Sequence, residues 1–111
     1  MRRINSAVIQ RAVAELCIKA NTRLRADVLA ALRRAEQKEK NRRAKDILLA
    51  MIKNAAIAKE ENLAICQDTG LPVVFLELGR NLRVTGDLRA AINQGVEAGY
   101  KKGYLRNDKV A

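Results

Sequence analysis

The amino-acid sequence predicts an α+β protein that is mainly α-helical, with about four helices and a small antiparallel β-hairpin. Three observations lead there. Apolar residues recur at three- and four-residue steps in three successive segments before Asn62. β-Branched and aromatic side chains then gather at residues 71–78 and return at residues 82–85. Helical spacing resumes after Gly86-Asp87, a pair suited to ending a strand unit and capping a helix.

Taken in order, Asn5 or Ser6 can cap a first helix whose stripe is Ile9, Val13, Leu16, Cys17 and Ala20. A second helix begins between Arg25 and Asp27, buries Val28, Leu29, Leu32 and Ala35, and dissolves into the charged residues 36–41. The strongest stripe starts near Arg42, with Ala44, Ile47, Leu48, Met51, Ile52 and Ala55, and ends near Glu61 and Asn62. Residues 71–78 are expected to form one strand, with Pro72 at its start, where a missing donor does least harm. Gly79-Arg80-Asn81 supplies a turn, and residues 82–85 supply the returning strand. In the fourth helix the inward positions are Leu88, Ala91, Ile92, Gly95 or Val96, and Gly99, and Gly103 ends it. A short extended tail carrying Arg106 is expected from Tyr104 to the end of the chain. No repeat, low-complexity linker or internal boundary divides residues 1–111, which read as a single domain.

Composition narrows the function. The chain has 111 residues, 49% of them hydrophobic but only 3% aromatic, so its core must be aliphatic and rich in alanine. Nothing approaches the apolar length of a membrane span, and the Met-Arg-Arg opening is unlike a secretory leader; a cytoplasmic protein is expected. Cys17 and Cys66 lack the spacing of a disulfide framework or a self-contained zinc site. The net charge of +10 would suit a nucleic-acid partner. Its densest cluster, residues 33–45, is nevertheless broken by Glu36 and Glu39 and has no aromatic residue for stacking, which argues against that partner.

Chemistry concentrates in Cys66-Gln67-Asp68-Thr69-Gly70, a connection between a helix and a β-rich run. A soft sulfur, an amide, a carboxylate and a hydroxyl in consecutive positions have little packing value but obvious value around a metal or an anionic substrate. Each also has a plainer reading. Cys17, on a helical stripe, is a small buried hydrophobe. Asp68-Thr69-Gly70 by itself is compatible with an Asx or Ser/Thr turn that launches a strand. An aspartic protease would need a second carboxylate loop and an all-β setting, and neither is indicated. The Cys66 thiolate, by contrast, lies where connections carry function and can ligate a metal.

The string from Ile65 to Gly70, the β-rich run after it, the Gly86-Asp87 helix start and the closing Tyr104-Leu105-Arg106 together resemble the N-terminal portion of class I fumarate hydratases and L(+)-tartrate dehydratase alpha subunits. That resemblance spans essentially the whole chain. It implies a fragment of a larger iron-sulfur hydro-lyase alpha domain, which adds water to or removes it from a small dicarboxylic acid at a 4Fe-4S cluster held by three cysteines. Carried over by position, Cys66 corresponds to a cluster ligand, Gln67 and Asp68 to substrate-contacting residues, and Arg106 to an arginine that grips a substrate carboxylate. Asp68 is the candidate for proton transfer. The remaining cluster cysteines and further catalytic groups would come from the rest of the alpha region and from a beta subunit or domain, so this chain alone is expected to be inactive. Many relatives continue the motif with a second threonine; here Leu71-Pro72 follows Gly70. The alternative from a different class is a non-enzymatic basic helical module that binds nucleic acid or a protein partner. Exposed strand edges would favour a homo-oligomer in isolation.

Overall fold

The computed structural model describes residues 1–106; the tail foreseen beyond Tyr104 lies, from Asn107 on, outside the described residues. Among the described residues, three of the four helices begin at a side chain that accepts a bond from an otherwise orphaned amide. Asn5 accepts from Ala7 N at 2.9 Å at the head of α1, Ser6–Thr22. Asn41 accepts from Ala44 N at 3.1 Å before α3, Arg42–Glu61. Asp87 does the same for Ala90 N at 3.1 Å before α4, Leu88–Lys102. Helix α2, Ala26–Lys38, has no side-chain cap bond and instead places Asp27 in its positive first turn.

The expected antiparallel hairpin is absent. Residues 82–85 do form a strand, β2, Leu82–Thr85, but its partner is β1, Arg2–Asn5, and the pairing is parallel. The register sets Arg2 opposite Leu82 and Asn5 opposite Thr85, and Arg2 N donates to Asn81 O at 3.0 Å just before it. A turn is present at Gly79, whose carbonyl accepts from Leu82 N at 3.1 Å. It delivers the chain to β1 and does not fold it back on residues 71–78, which are assigned to no strand. Strand preference mostly measures fit to a half-buried pleated surface, and that run meets no such surface here. Met1, Arg2 and Arg3 are exposed and β1 has just four residues, so periodicity could not reveal it.

The core lies between α1 and α4. Val13, Val96, Tyr100 and Leu105 are buried, with Ile9, Cys17, Ala64 and Ile92 packed against them. Two glycines let the helices approach to backbone contact: a Cβ on Gly95 would stand 2.6 Å from Gln10 O, and one on Gly99 would stand 2.6 Å from Ala14 O. Of the inward positions expected for α4, Ala91, Gly95, Val96 and Gly99 are buried and Leu88 and Ile92 are half-buried, while the buried Tyr100 was not foreseen. The stripes expected elsewhere are only partly covered. Leu16, Val28, Ile47 and Met51 are exposed, and no residue of α2 is buried. Val28, Ile47 and Met51 stay open because α2 and α3 pack chiefly on each other as an arm, with Lys45 and Glu36 paired at 3.6 Å. The radius of gyration is accordingly 17.7 Å, against about 13 Å for a compact domain of this length.

Candidate functional site

Helix α3 ends on Asn62, which adopts the left-handed conformation (φ 54°, ψ 44°) that asparagine tolerates well. Leu63 N then donates to Ala58 O at 3.0 Å, turning the chain towards the end of α1. There Ile65 is held on both sides: its N–H donates to Asn21 O at 2.8 Å, and its carbonyl accepts from Asn54 Nδ2 at 2.8 Å. Cys66 follows directly from that fixed point. It is a free thiol at an exposed position, and Gln67 and Asp68 beside it are exposed too.

The far end of the pentapeptide is tied to α4. Asp68 Oδ1 accepts from Gly70 N at 3.0 Å, so the Asx turn considered for this string does form, with Gly70 at φ 70°. Tyr100 Oη donates to Gly70 O at 3.5 Å. Beyond the Gly103 cap of α4, Tyr104 takes a left-handed φ of 55°, and Leu105 N reaches back to Tyr100 O at 2.8 Å while its side chain is buried. That reversal brings Arg106 to the loop, where its N–H donates to Thr69 Oγ1 at 3.4 Å. The exposed Cys66, Gln67 and Asp68 thus share a connection with Thr69, against which Arg106 is seated.

Burial governs the two titrating groups beneath the loop. Desolvation pushes the Cys17 thiol above its ordinary value. The Tyr100 phenol, 1% exposed, is raised first by burial and then by neighbouring Cys17, while hydrogen bonds with the side chains of Thr69 and Asn21 pull it back. An open apolar groove of about 400 Å³ runs beside them, with Leu16, Cys17, Asn21, Thr69, Pro72 and Tyr100 among its walls. Among the described residues no group of three His, Cys, Asp or Glu side chains is gathered to hold a metal. Cys66 therefore offers one soft donor.

Asn21, Asn54 and Tyr100 escaped sequence reasoning. A weak signal existed for the asparagines, which are poor residues for the body of a helix. Tyr100 gave a different hint as one of only three aromatics.

Residues 10–111 match the profile of the family described as fumarate hydratase (Fumerase), and the chain belongs to that family. It is 39% identical over 90 residues to a protein of Methanocaldococcus jannaschii provisionally named L(+)-tartrate dehydratase subunit alpha, with 81% of this chain and 31% of that protein covered. To the L(+)-tartrate dehydratase subunit alpha of Escherichia coli K12 it is 31% identical over 98 residues, covering 88% of this chain and 32% of the relative. The chain thus spans about a third of the length of these relatives. No helix of the described residues is long and apolar enough to cross a membrane.

Proposed function

We propose that this chain is a working part of an iron-sulfur-dependent hydro-lyase, which hydrates fumarate to malate or dehydrates a related dicarboxylic acid such as tartrate. The observation that carries the reading is the exposed Cys66 thiol in a connection anchored at both ends, with Arg106 seated against its Thr69. Membership of the fumarate hydratase family supports it, as do relatives named as tartrate dehydratase alpha subunits. Those names also favour a beta subunit as partner.

Cys66 would hold one iron of a 4Fe-4S cluster, and the other thiolates would come from outside residues 1–111. When bound, the cluster supplies Lewis acidity for loss of the substrate hydroxyl. The residues of this chain orient the acid around it. The Arg106 guanidinium can grip a carboxylate in two-pronged geometry, and the Gln67 amide can donate to another of its oxygens. Asp68, already an acceptor for Gly70 N, is short and sits at the same turn, which suits orienting the hydroxyl or relaying a proton at the adjacent carbon.

Anaerobic iron-sulfur reconstitution of the natural-length polypeptide with its beta partner tests this. A brown protein that hydrates fumarate or dehydrates tartrate is expected, with activity lost in Cys66→Ser and KM raised in Arg106→Lys. Full activity in Cys66→Ser would refute it.

A further inference from the structure

Five residues of chemical interest, Cys66 to Gly70, lie between two anchors, and each anchor includes a side chain to which no role has yet been given. Upstream, Asn54 Nδ2 holds the Ile65 carbonyl at 2.8 Å. Downstream, Tyr100 Oη holds the Gly70 carbonyl at 3.5 Å and also engages the side chains of Thr69 and Asn21. We infer that Tyr100 and Asn54 are positioning residues that set the aim of Cys66 and Asp68 by gripping the connection from α4 and α3; this rests on the function proposed above.

Packing alone does not account for Tyr100. Its ring is the largest fully buried side chain among the described residues, and phenylalanine would fill the same volume. A buried tyrosine hydroxyl needs a partner, and this one finds its partners at the loop and at the adjoining end of α1. The ring itself is enclosed in the core. Gly95 and Gly99 bring α4 into backbone contact with α1, and Leu105 N closes on the Tyr100 carbonyl. The hydroxyl is therefore carried by the most closely packed seam among the described elements. At 3.5 Å its bond to Gly70 is long, so the hydroxyl contributes placement and no more energy than one ordinary hydrogen bond.

Asn54 is the counterpart on α3. It is exposed and stands outside the core, and its amide spans from the helix to the residue immediately before Cys66. The Asx turn between Asp68 and Gly70 makes the short segment between the anchors stiff, so holding Ile65 and Gly70 fixes the direction in which Cys66 and Asp68 face solvent.

The test has two arms. In this 111-residue chain, hydrogen exchange is followed by mass spectrometry in Tyr100→Phe and Asn54→Ala. Each is expected to speed exchange in the peptide covering residues 63–70, whose Leu63, Ile65 and Gly70 amides are hydrogen-bonded, about five- to tenfold, the worth of one hydrogen bond, with α1 and α4 unchanged. In the complete reconstituted enzyme each is expected to lower kcat about ten- to a hundredfold with iron content and KM retained. Unchanged exchange at residues 63–70 in both variants overturns the inference, as does acceleration spread evenly over α1 and α4. The exchange arm needs neither cluster nor substrate. A wild-type protein that takes up no iron would therefore defeat the proposed function while leaving the clamp to be judged separately.

Discussion

At the scale of single residues, Tyr104 is the conformational outlier. A left-handed φ of 55° on a side chain that is neither glycine nor asparagine stores roughly 1 kcal/mol, and it is tolerated because the reversal buries Leu105 and delivers Arg106. Tyr104→Gly should therefore stabilise the chain by about 1 kcal/mol, seen as a higher urea midpoint at unchanged m-value. Cys17 and Tyr100 make a second prediction. Both hold their protons more tightly when folded than when unfolded, mainly because burial disfavours the anion. Above the ordinary cysteine value of 9.0 the unfolded chain releases protons first, so the stability due to these groups is complete below that pH and is lost as pH rises beyond it. Urea midpoints should hold steady from pH 7 to 8 and fall above about pH 9, and the fall should be shallower in Cys17→Ala.

Among the elements, the α1–α4 seam is the structural centre. Gly99→Ala would gain about 1 kcal/mol of helix propensity, yet its methyl would stand 2.6 Å from Ala14 O and 3.1 Å from Cys17 Cβ. Backbone cannot yield as a flexible side chain does, so the helices must separate, and a net loss of about 2 kcal/mol by thermal or urea unfolding is expected. Asp87→Ala removes the acceptor for Ala90 N at the head of α4 and should cost about 1 kcal/mol by the same measurement.

For the whole molecule, elongation and exposed apolar surface go together. Leu71, Val73 and Phe75 are 75%, 71% and 93% exposed, and Ile47 and Met51 on the α3 arm are open as well. An extended apolar run outside any sheet is a template for strand addition. The chain alone should therefore self-associate in a concentration-dependent way, and Val73→Lys with Phe75→Lys should shift it towards monomer in sedimentation velocity.

Much of this protein was legible in its sequence because local physics suffices for it. Caps at Asn5 and Asp87, the spans of the helices, most of the inward face of α4 and the chemical singularity of residues 66–70 all follow from neighbours within a few positions. Side-chain coverage was less legible, since a stripe shows which face would be buried and not whether anything lies against it; Val28 and Ile47 are the cases in point. Strand pairing was misjudged for the same reason. Residues 71–78 have every local mark of a strand, and β2 took Arg2–Asn5 from the other end of the chain instead. Local sequence determined the helices and the reactive loop, because capping and periodicity act over single turns. Tertiary structure alone decided that β1 and β2 run parallel, that Asn21, Asn54 and Tyr100 grip the loop, and that Arg106 comes back to Thr69, because those contacts join residues remote in the chain whose meeting depends on how the helices dock.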